Sequence, residues 1–303
     1  MLSAFRQSRC EWGIRNCLRR MPRVECFIFT SPDDPITRLF YTSLPMRVVV
    51  IIPAAGLGTR MAAHSGARPG QTTKQFAEIA GKPILLHTLE RFAQVSKVSD
   101  IYVAVRENEA ERLRDFLAAQ RLRPKMHVVV GGDHRQHSVA NALAAVDADA
   151  QDVVLVHDAV RPFVDSEIIE NVIEAAAKHG AAIAGLPAVD TIKQVERTAE
   201  GAIITSTVPR ERVVMAQTPQ GFRYELLKGV FDDAAQDGFI GTDEASLVER
   251  AGHEVAVVMG SPRNIKITTP ADMELAEFYV QQFQREEFHH GGTETRRKTE
   301  RGL

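Results

Sequence analysis

The sequence predicts an α/β fold: a Rossmann-like, mainly parallel sheet covered by helices on both faces, with a β-hairpin arm protruding from it. Three observations predict it. Continuous apolar runs recur along the chain, as strands buried on both faces require. Helical periods separate these runs at the spacing of β–α–β crossovers. One segment, about residues 188–210, breaks the alternation with two strand-like runs and no helix between them.

The elements follow in order. Arg47–Ile52 (RVVVII) is the first apolar run and has the character of a buried parallel strand. Pro83 opens a helix through Val95, where a proline at the first position needs no amide partner. Strands are expected at Ile101–Val105, Met126–Val130, Val153–His157, Ala181–Leu186 and Glu254–Met259. Helices are expected around 108–119, 138–146, 166–178, 224–236, 242–251 and 271–285. The hairpin pairs Asp190–Val195 with Ala202–Thr207 across a polar turn ending at Gly201. A two-stranded ribbon is marginal alone, so the arm calls for a partner surface; a plain surface excursion is the other reading.

The ends differ from this body. Residues 1–45 hold seven arginines and scattered Pro, Ser and Thr without a sustained period. Glu11, Glu25, Asp33 and Asp34 are more acid than an organelle leader carries. The expectation is an unstructured extension, or an upstream start ahead of a true beginning at Met46. Residues 286–303 are polar and charged with two adjacent glycines, and read as a disordered tail. All three cysteines lie within the first 26 residues. A disulfide framework or a cysteine nucleophile in the body is thereby excluded, and a reducing cytoplasm is the expected compartment. With 37 basic and 39 acidic residues, the near-cancelling charge argues against binding to nucleic acid through bulk charge. No apolar stretch is long enough to span a membrane.

In open parallel sheets, ligands gather at the carboxyl ends of strands. PAAGLGTR (53–60) follows the first strand. Gly56 and Gly58 let backbone approach a phosphate, or simply make a tight turn. A dinucleotide fingerprint needs a third glycine where Met61 stands, which disfavours an NAD-dependent oxidoreductase. Arg60 and Lys74 form a basic pair suited to polyphosphate, or two solvated surface charges. GGDHRQHSV (131–139) brings two more glycines with Asp133, Arg135 and Ser138, the last a candidate helix N-cap. VHDAVRPF (156–163) ends a strand on Asp158, a carboxylate placed to hold magnesium on substrate phosphates, with Arg161 as a planar donor. TDEAS (242–246) and NIKITTPAD (264–272) follow, the latter expected to put Lys266 on a strand and to start a helix at Pro270.

Taken together, PAAGLGTR, TKQF, GGDHRQHSV, HDAVRP, DTIK, TPQGF, TDEAS and NIKIT stand in the order seen in the 2-C-methyl-D-erythritol 4-phosphate cytidylyltransferase family, which this sequence resembles over about residues 46–285. That family belongs to the glycosyltransferase-A-like nucleotidyltransferases. Thr73 stands where the family usually has proline, which bears on the rigidity of that loop. The resemblance implies that Arg60 and Lys74 stabilise the pentacoordinate α-phosphate of CTP and that Asp158 coordinates Mg2+. It implies that Ala54, Ala55, Gly132, Asp133 and Ser138 surround cytosine and ribose, with Gly56, Gly58 and Thr242 also on the substrate side. Lys266, and Arg210 from a partner's hairpin region, would position methylerythritol phosphate, with Thr191, Arg161 and Thr218 nearby. A homodimer with shared sites follows from that assignment. A ribitol 5-phosphate cytidylyltransferase shares most of these motifs and is the alternative in the same class. The residue types suit the chemistry, because an anionic acceptor phosphate needs no general base but does need fixed cations against anion repulsion.

Overall fold

Five consecutive aliphatic side chains, Val48 to Ile52, are buried, and the rest of the sheet is arranged around them. The computed structural model describes residues 46–56, 74–120 and 123–299. The leader 1–45, Gly58, Arg60, Met61 and the side chain of Lys74 lie outside the described residues.

Strand β1 (Val48–Pro53) pairs in parallel with β4 (Val98–Val105) on one side and β6 (Val153–Val156) on the other. Between β1 and β4 lie a two-strand ribbon, β2 (Glu78–Ile79) with β3 (Lys82–Pro83), and helix α1 (Ile84–Ala93). The ribbon turns at Ala80 and Gly81, both at positive φ (51° and 74°), where glycine alone carries no steric cost. Helix α2 (Glu107–Gln120) leads to the edge strand β5 (Lys125–Val130), and α3 (Arg135–Ala145) returns to β6. Helix α4 (Ser166–His179) then crosses to β7 (Ala181–Pro187), which is paired by the other edge strand, β11 (Ala256–Met259).

The seven-stranded order is β11–β7–β10–β6–β1–β4–β5, where β10 (Val214–Arg223) runs antiparallel to both neighbours. Sequence reading misses β10 because its apolar start at Val214–Ala216 gives way to QTPQGFR, which has neither a run of apolar residues nor an alternation. The strand exists because its buried amides find partners: Gln220 Nε2 donates to Asp243 (2.7 Å) and its Oε1 accepts from the Ala245 amide (3.1 Å). Close approach does the rest. A Cβ on Gly221 would stand 2.9 Å from both Leu155 Cδ2 and Val172 Cγ1. The ladder with β7 is irregular between Ala216 and Gln220, around a cis peptide at Thr218–Pro219.

Alternation along β1 sends its side chains into two cores. Val48, Val50 and Ile52 pack with α1, α2 and α4, whereas Val49 and Ile51 pack with α3 and with α5 (Tyr224–Asp237) and α6 (Glu244–Arg250). Each such burial is worth about 1.5–3 kcal/mol. A third cluster seats α7 (Pro270–Thr299) through Ala276 and Val280 against Phe163 and Ile267. Helix α7 continues past residue 285 into the segment expected to lack structure. No proline interrupts it and Glu, Gln, Arg and Lys sustain helix, although Gly291 and Gly292 each oppose it by about 1 kcal/mol.

The arm is β8 (Ile192–Thr198) paired with β9 (Gly201–Val208), antiparallel and separate from the main sheet. Val195, Ile203 and Ile204 are exposed on it. Lys266 is not on a strand as expected. Residues 261–269 form an irregular segment, because their backbone groups are met by loops rather than a ladder; the Ile267 amide donates to Val160 O (3.0 Å).

Candidate active site

Strand β6 ends at Val156, and the chain runs straight into two buried residues, His157 and Asp158. The His157 amide still donates to Ile51 O (3.0 Å), so the site begins in register with the centre of the sheet. The Asp158 amide donates to Thr218 Oγ1 (3.1 Å) on β10. This fixes the carboxylate between the parallel half of the sheet and its one reversed strand.

Three cations face that carboxylate. Lys266 Nζ lies 2.8 Å from Oδ2, Arg161 Nε 3.5 Å from Oδ2, and Arg135 Nε 3.2 Å from Oδ1. Burial alone would raise the Asp158 carboxyl, since it disfavours charge. The cations, Arg135 first and then Lys266 and Arg161, outweigh it and hold the group well below the usual carboxylate range. Asp158 is therefore an anion at any physiological pH. Arg135 is itself held by a second carboxylate, Glu244 Oε1 at 2.7 Å, whose side chain is 1% exposed.

Lys266 is positioned by its segment. Arg161 NH1 donates to Asn264 O (2.7 Å), and the buried Asn264 donates through Nδ2 to Thr218 O (2.8 Å). Gln217 Nε2 reaches Ser261 O (2.9 Å). The buried polar residues of β10 thus stitch residues 261–267 across the sheet edge beside Asp158.

A second wall lies at the ends of β1 and β5. The Gly131 amide donates to Val105 O (2.7 Å), and a Cβ there would stand 2.7 Å from Ala55 Cβ. At Gly132 it would stand 2.5 Å from His137 Cβ, so both glycines serve close approach. Ser138 is not the N-cap of α3 as expected. His134 holds that place and Ser138 lies in the first turn, its buried hydroxyl accepting from the Gly132 amide (3.1 Å) and near the carbonyls of Gly132 and His134. It shapes the glycine loop. Ala54 O accepts from Gln75 Nε2 (2.5 Å), which ties residues after Lys74 to the end of β1.

The expected residues divide into groups. Asp158, Arg161, Thr218 and Lys266 converge; Ala55, Gly132 and Ser138 share the second wall, with Ala54 buried beside it and Asp133 and Gly56 exposed on its loops. Thr242 is exposed one residue before Asp243, the N-cap of α6. Thr191 and Arg210 stand at the root of the arm, where Arg210 NH1 donates to Val189 O (2.8 Å) rather than reaching Asp158. Arg60 and Gly58 lie outside the described residues. Sequence reasoning missed Glu244, Gln217 and Asn264. Glu244 sits inside TDEAS, but nothing linear pairs it with Arg135, 109 residues away.

A site so arranged, a deprotonated carboxylate ringed by fixed cations at the carboxyl edge of a sheet and next to a glycine loop, narrows the choice of family. The family model for 2-C-methyl-D-erythritol 4-phosphate cytidylyltransferase (IspD) matches residues 48–282. A protein of that name from Acidobacterium capsulatum is 62% identical over 237 residues, covering 78% of this chain and 98% of the relative. One from Solibacter usitatus is 50% identical over 78% of this chain and 97% of its own length. The crystal structure of 2-C-methyl-D-erythritol 4-phosphate cytidylyltransferase from Thermus thermophilus is 34% identical, with a TM-score of 0.61, covering 78% of this chain and 100% of that one. The chain belongs to the 2-C-methyl-D-erythritol 4-phosphate cytidylyltransferase family.

Proposed function

We propose that this chain transfers the cytidylyl group of CTP to 2-C-methyl-D-erythritol 4-phosphate, giving 4-diphosphocytidyl-2-C-methyl-D-erythritol and pyrophosphate, in isoprenoid precursor biosynthesis. The observation that carries it is Asp158 with Lys266, Arg135 and Arg161 at 2.8–3.5 Å, inside a chain of this family. An acceptor phosphate oxygen attacks the α-phosphorus of CTP, a new P–O bond forms, and the bond to pyrophosphate breaks. Both reactants are anions, so the catalytic task is to bring them together and to stabilise charge on the leaving group. Lys266 supplies a partly exposed ammonium for the acceptor phosphate, while the loop at Gly131–Gly132 and Ser138 receives the nucleoside. Arg60 and Lys74 are assigned to the α-phosphate on their place in the motif.

Asp158 would hold magnesium, which supplies charge neutralisation on the nucleotide phosphates when bound. The residues fit an ion that arrives with the nucleotide. Three cations already face the carboxylate, and among the described residues no group of three carboxylate, His or Cys side chains could cage a metal alone. Magnesium on a triphosphate takes most of its oxygens from phosphates and water and needs one or two carboxylates. The exposed apolar side chains of the arm support a homodimer in which Arg210 and Thr191 serve the neighbouring site. Among the described residues no helix is long and apolar enough to cross a membrane, and a cytoplasmic enzyme is proposed.

Pyrophosphate release, measured with each nucleoside triphosphate against methylerythritol phosphate and ribitol phosphate, tests the reading. Turnover confined to CTP and methylerythritol phosphate is expected. A preference for ribitol phosphate, or no release with any pair, sinks it.

A further inference from the structure

The Arg135 fork spans two buried carboxylates that belong to different parts of the site. Its Nε lies 3.2 Å from Asp158 Oδ1, after β6, and its NH1 lies 2.7 Å from Glu244 Oε1, in the first turn of α6. The next residue makes the same crossing: Gln136 Nε2 donates to Phe239 O (3.0 Å) and Gln136 Oε1 accepts from the Gly241 amide (2.8 Å). The first turn of α3, which carries the glycine loop on its N-terminal side, therefore grips both the Asp158 loop and the segment 239–244.

Glu244 is an expensive residue to keep there. Its side chain is 1% exposed, and Oε2 has no hydrogen-bond partner. A buried carboxylate that serves stability alone is commonly matched or bettered by an apolar side chain of the same size. Asp243 already caps α6 by accepting from the Ser246 amide (3.0 Å), so the helix start does not require Glu244. What Glu244 does bond is Arg135. The planar guanidinium bridges two carboxylates from fixed directions, which a lysine's single point charge does not.

We infer that Arg135 is a positioning residue for the transfer reaction, with Glu244 as its anchor: together they fix the Asp158 carboxylate in register with the glycine loop. The inference rests on the proposed cytidylyl transfer. Arg135 acts through Asp158, holding Oδ1 while Oδ2 faces Lys266. Without it the carboxylate keeps Lys266 and Arg161 on Oδ2 but loses the cation that holds Oδ1, and misplacement of about 1 Å at a reacting centre costs on the order of 100-fold in rate.

A purely structural pair would behave differently, and a neutral double replacement separates the two roles. Arg135→Gln alone strands the buried Glu244 charge, so both melting temperature and turnover should fall. Glu244→Gln alone leaves Arg135 on Asp158 without its anchor, and should lower turnover less than Arg135→Gln does. The double variant Arg135→Gln/Glu244→Gln has no stranded charge at that position. Its melting temperature should return toward the parent, while kcat with CTP and methylerythritol phosphate stays at least about tenfold down. Its CTP affinity by calorimetry should remain within several-fold of the parent. Arg135→Lys, which keeps the charge but not the fork, should melt near the parent and still turn over slowly. If the double variant recovers stability and turnover together, the pair is structural and the inference is overturned. An active parent is the precondition: a parent that releases no pyrophosphate from CTP overturns the functional reading, and the inference with it.

Discussion

Acid should unfold this protein in part through one imidazole. His157 is fully buried with its ring edge against Phe92 (centroids 4.8 Å apart, 65° between planes). Nε2 lies 3.0 Å from Arg161 O, which only accepts, so Nε2 carries the hydrogen and Nδ1 is the bare nitrogen. Nδ1 has no partner, so a proton added there would be a buried charge without a hydrogen bond. Burial first, with Arg161 and Arg135 adding repulsion, lowers the group from 6.5 to about 4, against the pull of the Arg161 carbonyl and Asp158. Between those values the unfolded chain binds a proton that the folded protein refuses. Stability is then full above about pH 6.5 and falls as pH drops toward 4. Linkage puts the loss between about pH 7 and about pH 5 at about 2 kcal/mol from this group. Asp158, held below the ordinary carboxylate range, stays ionised throughout that window. His157→Gln keeps a donor near the Nε2 position and cannot titrate. Urea unfolding of metal-free parent and variant at both pH values gives the double difference directly, and the contribution of His87, also lowered by burial, cancels in it. A double difference below about 0.5 kcal/mol, against the roughly 2 kcal/mol expected from linkage, would refute the reasoning.

Three further outcomes are expected. Asp158→Asn leaves Arg135, Arg161 and Lys266 facing one another without their shared anion; unfolding free energy should drop by about 3 kcal/mol, and the magnesium needed for half activity should rise, read by denaturant titration and by pyrophosphate release. Gly221→Ala forces a methyl to within 2.9 Å of Leu155 and Val172, an overpacking worth about 1–3 kcal/mol and visible as a lower melting temperature; an unchanged melt would mean that β10 is not seated as described. Lys74→Ala should bind CTP within several-fold of the parent while turnover falls by on the order of 10²–10³, and mixing it with Arg210→Ala should restore some activity if sites are shared between subunits, since one site of each mixed dimer escapes both lesions.

Much of this is legible in the sequence, for physical reasons. Val48–Ile52 is unmistakable because a parallel strand buried on both faces must be apolar at every position. Asp158 and Arg161 can be placed because ligands collect at strand ends, and Asp158 follows directly on a run of four aliphatics and a histidine. Strand β10 is not legible: Gln217, Thr218 and Gln220 are buried by virtue of hydrogen bonds to residues 243–264, which a local window does not contain. Lys266 reads as a strand residue because Ile265 and Ile267 alternate around it, yet both serve a small core under α7 instead of a ladder. Ser138 reads as a cap because nothing local tells that α3 begins three residues earlier, at Arg135. The Arg135–Glu244 pair is a matter of tertiary geometry alone.

The reversed strand also governs how the sheet can be assembled. Strands β6 and β7 are consecutive in the chain, joined by α4, yet they never touch as a ladder, because β10 fills the slot between them. Until residues 214–223 are available, the sheet has an open seam through its middle and two rows of backbone donors and acceptors without partners. The arm, residues 192–208, is spliced into the loop that must swing β10 back into that seam, and its root is closed by Val214 pairing with Pro187. A chain ending before residue 223 would therefore present two interior strand edges rather than one shortened end, the configuration that invites pairing with other chains. Completion of this fold is an act of insertion, and the strand that closes the seam brings Thr218 and Gln217 with it.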